Sequence, residues 1–463
     1  MLFNSLQYLV FLPVAAIGYF LLPLRARWVW LLTLSCLFYM AFVPIYVLIM
    51  AFTIIVDYIA GLLIERSTGA RRRLLLTASI VANVGVLAVF KYFDFLAGNV
   101  AVLFQLADWT IEAPTLGMIL PIGLSFHTFQ AMSYTIEVYR GNLRAERHFG
   151  IYALYVMFFP QLVAGPIERP QNLLWQFRIK HTFDYERVTN GIRRIAWGMF
   201  KKIAIADRLA AYVNQVYDSP TENAGFSLLI ATVFFAFQIY CDFSGYSDIA
   251  IGSAQVLGYR LMENFRHPYF AASVSEFWSR WHISLSTWFR DYVYIPLGGK
   301  LRRARNVMIV FMLSGLWHGA SWTYVVWGGL NGLYVISEPR VPAPRWRPLR
   351  VVFTFALMCV TWIFFRAQTL RDALFILTHL VGDVPRALET LAIFGRTECV
   401  VAAGVVLVLL LIDWVEERRG GDIATVVGGA PLWIRWPAYY ATGIATLLFG
   451  KFYGQQAFIY FQF

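Results

Sequence analysis

The chain has 463 residues, of which 59% are hydrophobic and only 14% are charged. Soluble domains are typically about 45–50% apolar and about 25% charged, so this composition excludes an ordinary water-soluble protein and indicates a chain embedded in a lipid bilayer. The formal net charge of +12 does not indicate a nucleic-acid partner, because the basic residues cluster in short loops between apolar segments, as is typical of membrane proteins.

A helix needs about 20 mostly apolar residues to cross the hydrocarbon core of a bilayer. The candidate segments, in chain order, are 6–22, 28–43, 45–64, 74–92, 114–139, 150–166, 195–216, 224–260, 306–336, 349–366, 399–415 and 437–452. The segment 224–260 is long enough for two short helices. We therefore predict an all-α polytopic membrane protein with about eleven transmembrane helices, in a single integral membrane domain over residues 1–463.

Two polar stretches interrupt this pattern. Residues Glu168–Lys202 mix basic and aromatic side chains, which predicts amphipathic helices lying in the membrane interface. The second stretch, Asn264–Asn306, contains Ser273 and Glu276 at the spacing of a capping box, so a helix is expected to begin there. Because this helix is short, we predict that it is re-entrant or half-buried and does not cross the membrane.

Helical spacing in the second stretch predicts an apolar stripe formed by Trp278, His282, Leu285, Phe289 and Tyr292. His282 therefore lies on the apolar face. A histidine among tryptophans in the interface is often only an anchor, and the interest of His282 comes from its pairing with His318.

His318 lies within the apolar segment 306–336, between Gly315 and Gly319. Such a G-x-x-x-G pattern lets another backbone or a ligand approach closely. Polar residues at membrane depth are costly and tend to be functional. A structural histidine bonded to a neighbouring helix is the alternative. His127 lies in an apolar segment and is interpreted as packing or tunnel lining, and the remaining histidines, His267 included, lie in loops or amphipathic segments and suggest no chemistry.

Two acidic residues, Asp242 and Asp248, lie in another apolar segment. A buried carboxylate must be protonated or find a cation, and we expect a structural pair with an arginine such as Arg280 or Arg290. The cysteines Cys36, Cys241, Cys359 and Cys399 match no metal-site or redox spacing, so we expect neither a disulfide nor a metal. Nucleophile-elbow, Walker and zinc-protease motifs are absent, which excludes a soluble-type hydrolase or an ATP-driven pump.

Several motifs resemble those of one family. They are PQLVAGPIERP (Pro160–Pro170), QIYCDFSGYSDIAIG (Gln238–Gly252), NFRHPY (Asn264–Tyr269), FWSRWHISLSTWFRDYVYIPLGG (Phe277–Gly299), SGLWHGASW (Ser314–Trp322) and FIYFQF (Phe458–Phe463). By these motifs the chain is identified as a member of the membrane-bound O-acyltransferase (MBOAT) superfamily, and it resembles the bacterial alginate O-acetyltransferase-type members. The motif-bearing core covers about residues 114–336.

The resemblance implies an MBOAT fold, with transmembrane, re-entrant and interfacial helices around a tunnel. It implies that His318 lies at the narrow point of the tunnel as a catalytic residue and that His282 occupies a second polar position. Further candidates for the substrate-binding wall are Asp242, Asp248, Trp317, Arg290 and Asp291. The basic residues Lys300, Arg302, Arg303 and Arg305 would suit the phosphates of an acyl donor, and contact with lipid headgroups is the alternative.

The resemblance also implies an activity. The protein is expected to move an acyl group, most simply acetyl, from a cytoplasmic thioester donor to hydroxyls of an exported polysaccharide. Acetyl-CoA or an acyl-carrier thioester would be a co-substrate, and no bound cofactor is expected. The implied location is the bacterial inner membrane, with a periplasmic acetyltransferase or accessory protein as partner and no nucleic acid. Transfer of D-alanyl or another acyl group to a cell-wall polymer, a transporter or flippase, and a non-catalytic scaffold remain alternatives.

Overall fold

The computed structural model of the protein describes residues 1–109, 112–118, 120–163, 165–223, 225–341, 344–382, 385, 388, 394–451 and 458–459. These residues form α-helices, some of them continued by short 3₁₀ or π turns, with loops between them. They group into two compact units, Met1–Thr189 with Ser253–Met262, and Asn190–Gly252 with Glu263–Phe463. The single membrane domain expected over residues 1–463 stays a prediction.

The helices of the first half are α1 (Leu6–Leu21), α2 (Leu24–Met40), α3 (Val47–Arg66), α4 (Gly69–Leu87), α5 (Phe93–Gln105), α6 (Leu124–Arg140), α7 (Phe149–Met157), α8 (Phe159–Leu162), α9 (Pro170–Leu173), α10 (Tyr185–Met199) and α11 (Asp207–Tyr217). Those of the second half are α12 (Gly225–Leu257), α13 (Val274–Arg280), α14 (Ile283–Phe289), α15 (Arg303–His318), α16 (Trp322–Ser337), α17 (Arg347–Arg366), α18 (Leu370–Thr378), α19 (Arg396–Arg419), α20 (Ile423–Gly428) and α21 (Leu432–Phe449).

The predicted all-α membrane class is confirmed for the described part of the chain. Five helical segments there are long and apolar enough to cross a membrane: Pro44–Arg66, Gly69–Gln105, Gly225–Leu257, Arg347–Arg366 and Thr397–Arg419. Other apolar helices, such as α1, are shorter. The total of about eleven crossings stays a prediction, as does the position of α10 in the interface.

Large apolar side chains cover the outside of the helices. On α1, Leu6, Leu9, Val10 and Ile17 are all more than half exposed. A soluble protein rarely presents such a continuous apolar surface. In a bilayer these side chains contact lipid, which is why the helix can remain stable with so little of it buried.

Two of the predicted segments have a different form. Segment 224–260, which was long enough for two short helices, is the single helix α12. Its glycines produce close crossings with α10 in place of a break: a Cβ added to Gly245 would lie 2.7 Å from the carbonyl oxygen of Gly198. Segment 306–336, by contrast, is not one helix but a hairpin of α15 and α16, each 16 residues long.

Candidate active site

The chain breaks at His282. Helix α13 ends at Arg280, Trp281 is extended, and His282 has φ 43° and ψ 55° before α14 begins at Ile283. The prediction that His282 belongs to a continuous helical stripe is therefore wrong. A left-handed conformation in a non-glycine residue costs on the order of 1–3 kcal/mol and persists only where the surroundings hold it.

Asn264 holds the chain in this conformation. Its backbone oxygen accepts the N–H of Ile283 at 2.9 Å. Its side-chain oxygen accepts the N–H of Ser284 at 3.2 Å and the Ser284 hydroxyl at 2.8 Å. The side-chain nitrogen of Asn264 donates to Ser247 at 3.3 Å. These bonds satisfy backbone donors at the start of α14, which would otherwise be orphaned because the helix begins there.

The predicted helix start at Ser273 is confirmed, although the reciprocal bond of Glu276 is shifted by one residue from that of a capping box. The Ser273 hydroxyl oxygen accepts the N–H of Glu276 at 3.1 Å. The Glu276 carboxylate accepts the N–H of Ala272, one residue before the cap, at 2.8 Å, and it pairs with Arg280 at 2.7 Å. Both ends of this short helix are therefore fixed, which sets the direction in which the chain enters the break at His282.

His318 is the last residue of α15, because Gly319 is extended and ends the helix. The pattern Gly315-x-x-x-Gly319 brings α15 and α16 together. A Cβ on Gly315 would lie 2.3 Å from the carbonyl oxygen of Tyr324, and a Cβ on Gly319 would overlap the Tyr324 ring. The glycine pattern was expected to admit either another backbone or a ligand. The structure shows the backbone and side chain of Tyr324 on α16 at this place.

Both histidines line one cavity of about 170 Å³. They are almost completely buried, with 1% of His282 and 4% of His318 exposed. The ring of Trp317 lies 4.9 Å from the His318 ring and 6.0 Å from the His282 ring, measured between centroids. The predicted wall residue Trp317 is not itself among the residues that line the cavity. Besides the two histidines, the lining residues are Trp278, Trp281, Leu285, Ser286, Phe289, Arg290, Tyr294, Val307, Val310, Phe311 and Ser314. The cavity is therefore largely apolar, with the two imidazoles, the Arg290 guanidinium and a few hydroxyls as its main polar groups.

Both buried acids are paired with cations, and the expected pairing with an arginine is confirmed for Asp248, but the named partners Arg280 and Arg290 are wrong. Asp248 pairs with Arg194 at 3.0 Å and with Lys201, and Asp242 pairs with Lys202 at 2.6 Å. Spacing along the chain could not reveal these pairs. All three basic residues lie at the end of the separate Glu168–Lys202 stretch, and only the folded chain brings them to the acids of α12. Neither acid lines the histidine cavity.

The two further candidates, Arg290 and Asp291, form an ion pair with each other at 2.8 Å. The Arg290 side chain lines the histidine cavity and is 60% exposed, whereas Asp291 does not line it. Arg280, the other arginine expected to pair with a buried acid, is bound to Glu276 and Glu417.

The basic stretch lies outside the histidine cavity. Lys300, Arg302 and Arg305 are exposed. Arg303 donates to the carbonyl oxygen of Val335 at 2.9 Å, and Arg305 donates to that of Leu297 at 3.0 Å. Among the described residues, Lys300 and Arg302 are thus the exposed basic residues of the stretch whose side chains have no hydrogen-bond partner within the protein.

Sequence reasoning missed the contacts behind His282. The Phe243 ring packs on His282 at 4.6 Å, and Phe458 of the last motif packs on Phe243 at 5.8 Å. The N–H of Ile459 donates to Asp242 at 2.7 Å. The motif FIYFQF was the only signal for this contact. Its last four residues, and Ala164 of the first motif, lie outside the described residues.

A second cavity, of about 610 Å³, was also missed. It is lined mainly by charged and polar groups and includes His267, Asp413 and Glu416, whose ligand atoms all lie within 4.8 Å of one another. Burial opposes the charged form of His267, but the attraction of Asp413 and Glu416 outweighs it and raises the pKa of this imidazole. His267 lies in the motif NFRHPY, but nothing in that motif indicates that Asp413 and Glu416 of the distant helix α19 approach it.

The helices and the enclosed histidine pair define a multi-pass membrane protein with a buried polar site. Residues 143–341 match the model of the MBOAT, membrane-bound O-acyltransferase family. The chain belongs to this family, and it is an O-acyltransferase.

Three relatives show the range of the similarity. The chain is 40% identical to the probable alginate O-acetylase AlgI of Azotobacter vinelandii, over 81% of this chain and 76% of that protein. It is 34% identical to the peptidoglycan O-acetyltransferase of Helicobacter pylori, over 82% of this chain and 80% of that protein. It is 27% identical to the teichoic acid D-alanyltransferase of Bacillus subtilis, over 53% of this chain and 69% of that protein.

Proposed function

We propose that this protein transfers an acetyl group from a cytoplasmic thioester to a hydroxyl of an exported polysaccharide, in the inner membrane of a bacterium. The extensive similarity to alginate O-acetylases supports a polysaccharide acceptor. The acetyl-CoA or acyl-carrier donor, the tunnel and a periplasmic partner follow from the family resemblance. Delivery to the polymer is either direct or through such a partner.

The observation that carries this proposal is the shared cavity of His282 and His318. Substrates that fill this largely apolar cavity displace water from the reacting groups, which favours transfer to a hydroxyl over hydrolysis of the thioester. A volume of about 170 Å³ far exceeds that of one water molecule, roughly 30 Å³, so small reacting groups have room there.

In the proposed mechanism, the neutral His318 imidazole accepts the proton of the acceptor hydroxyl as its oxygen attacks the thioester carbonyl carbon. The C–O bond forms, the C–S bond breaks, and the imidazolium returns the proton to the leaving thiolate. The products are an ester and a free thiol. A general base of this kind contributes about 10²–10⁴-fold to the rate.

His282 is the supporting group in this mechanism. Its imidazole orients the substrate or His318, or donates a hydrogen bond to the oxyanion that develops on the carbonyl oxygen. Trp317, which lies near both rings, keeps their relative position. Arg290 at the cavity wall supplies positive charge toward an anionic substrate group.

A cell-wall glycan is the second candidate acceptor. The similarity to the peptidoglycan O-acetyltransferase covers the same share of the chain as the similarity to the alginate enzymes. D-Alanyl transfer has weaker support, since that relative matches a smaller part of the chain at lower identity.

The test uses a deletion strain complemented with wild type, His318→Ala or His379→Ala, the last being an exposed histidine at the end of α18. We expect polymer O-acetyl content to be lost only with His318→Ala at equal membrane expression. Full acetylation with His318→Ala would contradict the mechanism and favour a scaffold. Uptake of labelled substrate without covalent transfer by purified wild type would favour a transporter.

A further inference from the structure

The second cavity has an excess of negative charge. Its lining contains the acidic residues Asp248, Glu263, Glu276, Asp413, Glu416, Glu417 and Asp422, against the basic residues Arg194, Lys201, Arg266 and Arg280. Buried charge is costly unless it is paired. The question is therefore which of these acids form an ion pair with a basic residue and which do not.

Most of the acids have a basic partner. Arg194 pairs with Asp248 and Glu263, and Lys201 pairs with Asp248. Arg280 pairs with Glu276 and Glu417. Asp413 and Glu416 are different: they are 4% and 7% exposed, and within the described ranges no lysine or arginine nitrogen lies within 4.0 Å of their oxygens.

His267 faces both of these carboxylates. Its Nδ1 lies 3.5 Å from Asp413 Oδ1 and 3.5 Å from Glu416 Oε2. These separations are too long for good hydrogen bonds, and the buried Nδ1 makes none with the described residues. Both separations match those of ligands around a tetrahedral ion, because bonds of about 2.0–2.2 Å place neighbouring ligand atoms roughly 3.4 Å apart. The three ligand atoms all lie within 4.8 Å of one another.

The remaining carboxylate oxygens are held by other donors. The Tyr240 hydroxyl donates to Asp413 Oδ2 at 2.9 Å. The backbone N–H of Ile423 donates to Glu416 Oε1. Outer contacts of this kind orient metal ligands, and they leave Asp413 Oδ1 and Glu416 Oε2 as the oxygens next to His267 Nδ1.

A separate feature of the same cavity also points to a bound polar species. Ser244 lines the cavity and is 2% exposed, yet its hydroxyl has no hydrogen-bond partner among the residues that the structure describes. Buried hydroxyls are normally satisfied, so a ligand or its coordinated water would complete this wall.

We propose that His267 Nδ1, Asp413 Oδ1 and Glu416 Oε2 bind a divalent first-row transition ion, with Zn²⁺ as the best fit to one imidazole and two carboxylates. The fourth position opens to the cavity for water or an anionic ligand. The ion would tie the end of α19 to the loop before α13.

This proposal replaces the expectation of no metal, which considered only the spacing of residues along the chain. The ligands proposed here come from two segments that are distant in the sequence. It does not depend on the proposed acetyl transfer.

The first test compares purified wild type with His267→Gln and Glu416→Gln. Glu263→Gln is the matched control, because Glu263 lines the same cavity but pairs with Arg194. After dialysis with Zn²⁺ and removal of the free ion, we expect about one equivalent per chain in wild type and control by elemental analysis. Loss of one ligand should weaken Zn²⁺ binding by at least ~100-fold, since outer-shell changes alone cost about 10–100-fold.

A second measurement does not depend on the folding of any variant. Co²⁺ titrated into wild-type protein should produce visible ligand-field absorption that saturates near one equivalent and is displaced by Zn²⁺. Absence of this absorption, together with no Zn²⁺ retained above the level of His267→Gln, would overturn the proposal. The cluster would then be a buried imidazole–carboxylate pair. Zn²⁺ binding equal in wild type and both ligand variants would also overturn it.

Discussion

The side-chain oxygen of Asn264 accepts the hydroxyl proton of Ser284 at 2.8 Å, and this bond holds the start of α14 directly after His282. The left-handed backbone at His282 thus depends on a residue that precedes it by a whole helix. The placement of one imidazole in the cavity is therefore set by a side chain that does not line that cavity.

Asn264→Ala should lower kcat with little effect on the KM for the donor. The substitution leaves the Ser284 N–H and hydroxyl without their acceptor and lets His282 shift, and a displacement of about 1 Å can cost on the order of 10²-fold in rate. Asn264→Asp keeps an acceptor oxygen and should restore part of the activity. Steady-state acetyl transfer in detergent measures this effect, and an unchanged kcat in folded Asn264→Ala protein would contradict it.

Gly315→Ala should destabilise the α15–α16 hairpin, because the added Cβ would lie 2.3 Å from the Tyr324 carbonyl oxygen. Overpacking of this kind typically costs about 1–3 kcal/mol. Gly404→Ala in α19 is the control, since nothing lies within 4 Å of its added Cβ. Thermal unfolding in detergent should show a lower Tm for Gly315→Ala alone. Equal Tm values would show that α15 and α16 accommodate the added methyl group without loss of stability.

Asp248→Asn should destabilise the protein, although Asp248 lies outside the histidine cavity. It removes the buried partner of Lys201 and one partner of Arg194, and breaking a buried pair costs about 3–5 kcal/mol. Asp291→Asn breaks the exposed pair with Arg290 and should cost only about 0–1 kcal/mol. The two unfolding curves in one detergent test this difference, and similar shifts would refute the buried-pair assignment.

Lys300→Gln combined with Arg302→Gln should raise the KM for a phosphate-bearing donor and leave kcat unchanged. Both side chains are exposed and lie outside the histidine cavity, so the substitutions remove charge without altering the reacting groups. The difference from wild type should shrink at high salt, because screening weakens exposed charges beyond about 10 Å at 0.1 M. An unchanged KM with weaker binding to anionic vesicles would support the lipid-headgroup alternative.

The helical membrane class followed directly from composition and apolar segments. The helix start at Ser273 was also predictable, because the bond from the Glu276 N–H to the Ser273 hydroxyl depends on residues three positions apart. Local spacing failed at His282, where it predicted an uninterrupted helix. The bonds from Asn264 override local helical preference there, and no pattern within α13 and α14 reveals them.

By itself, the sequence determined that this protein is a helical membrane protein of the MBOAT family and pointed to His282 and His318 as its candidate site. Apolar length and motif spacing are properties of neighbouring residues, so they can be read along the chain. Only the tertiary structure decided that the two histidines share a cavity, that Lys201, Lys202 and Arg194 neutralise the buried acids, and that His267 meets Asp413 and Glu416. These relationships join residues of distant segments, and burial makes each charge depend on partners that the folded chain alone brings within reach.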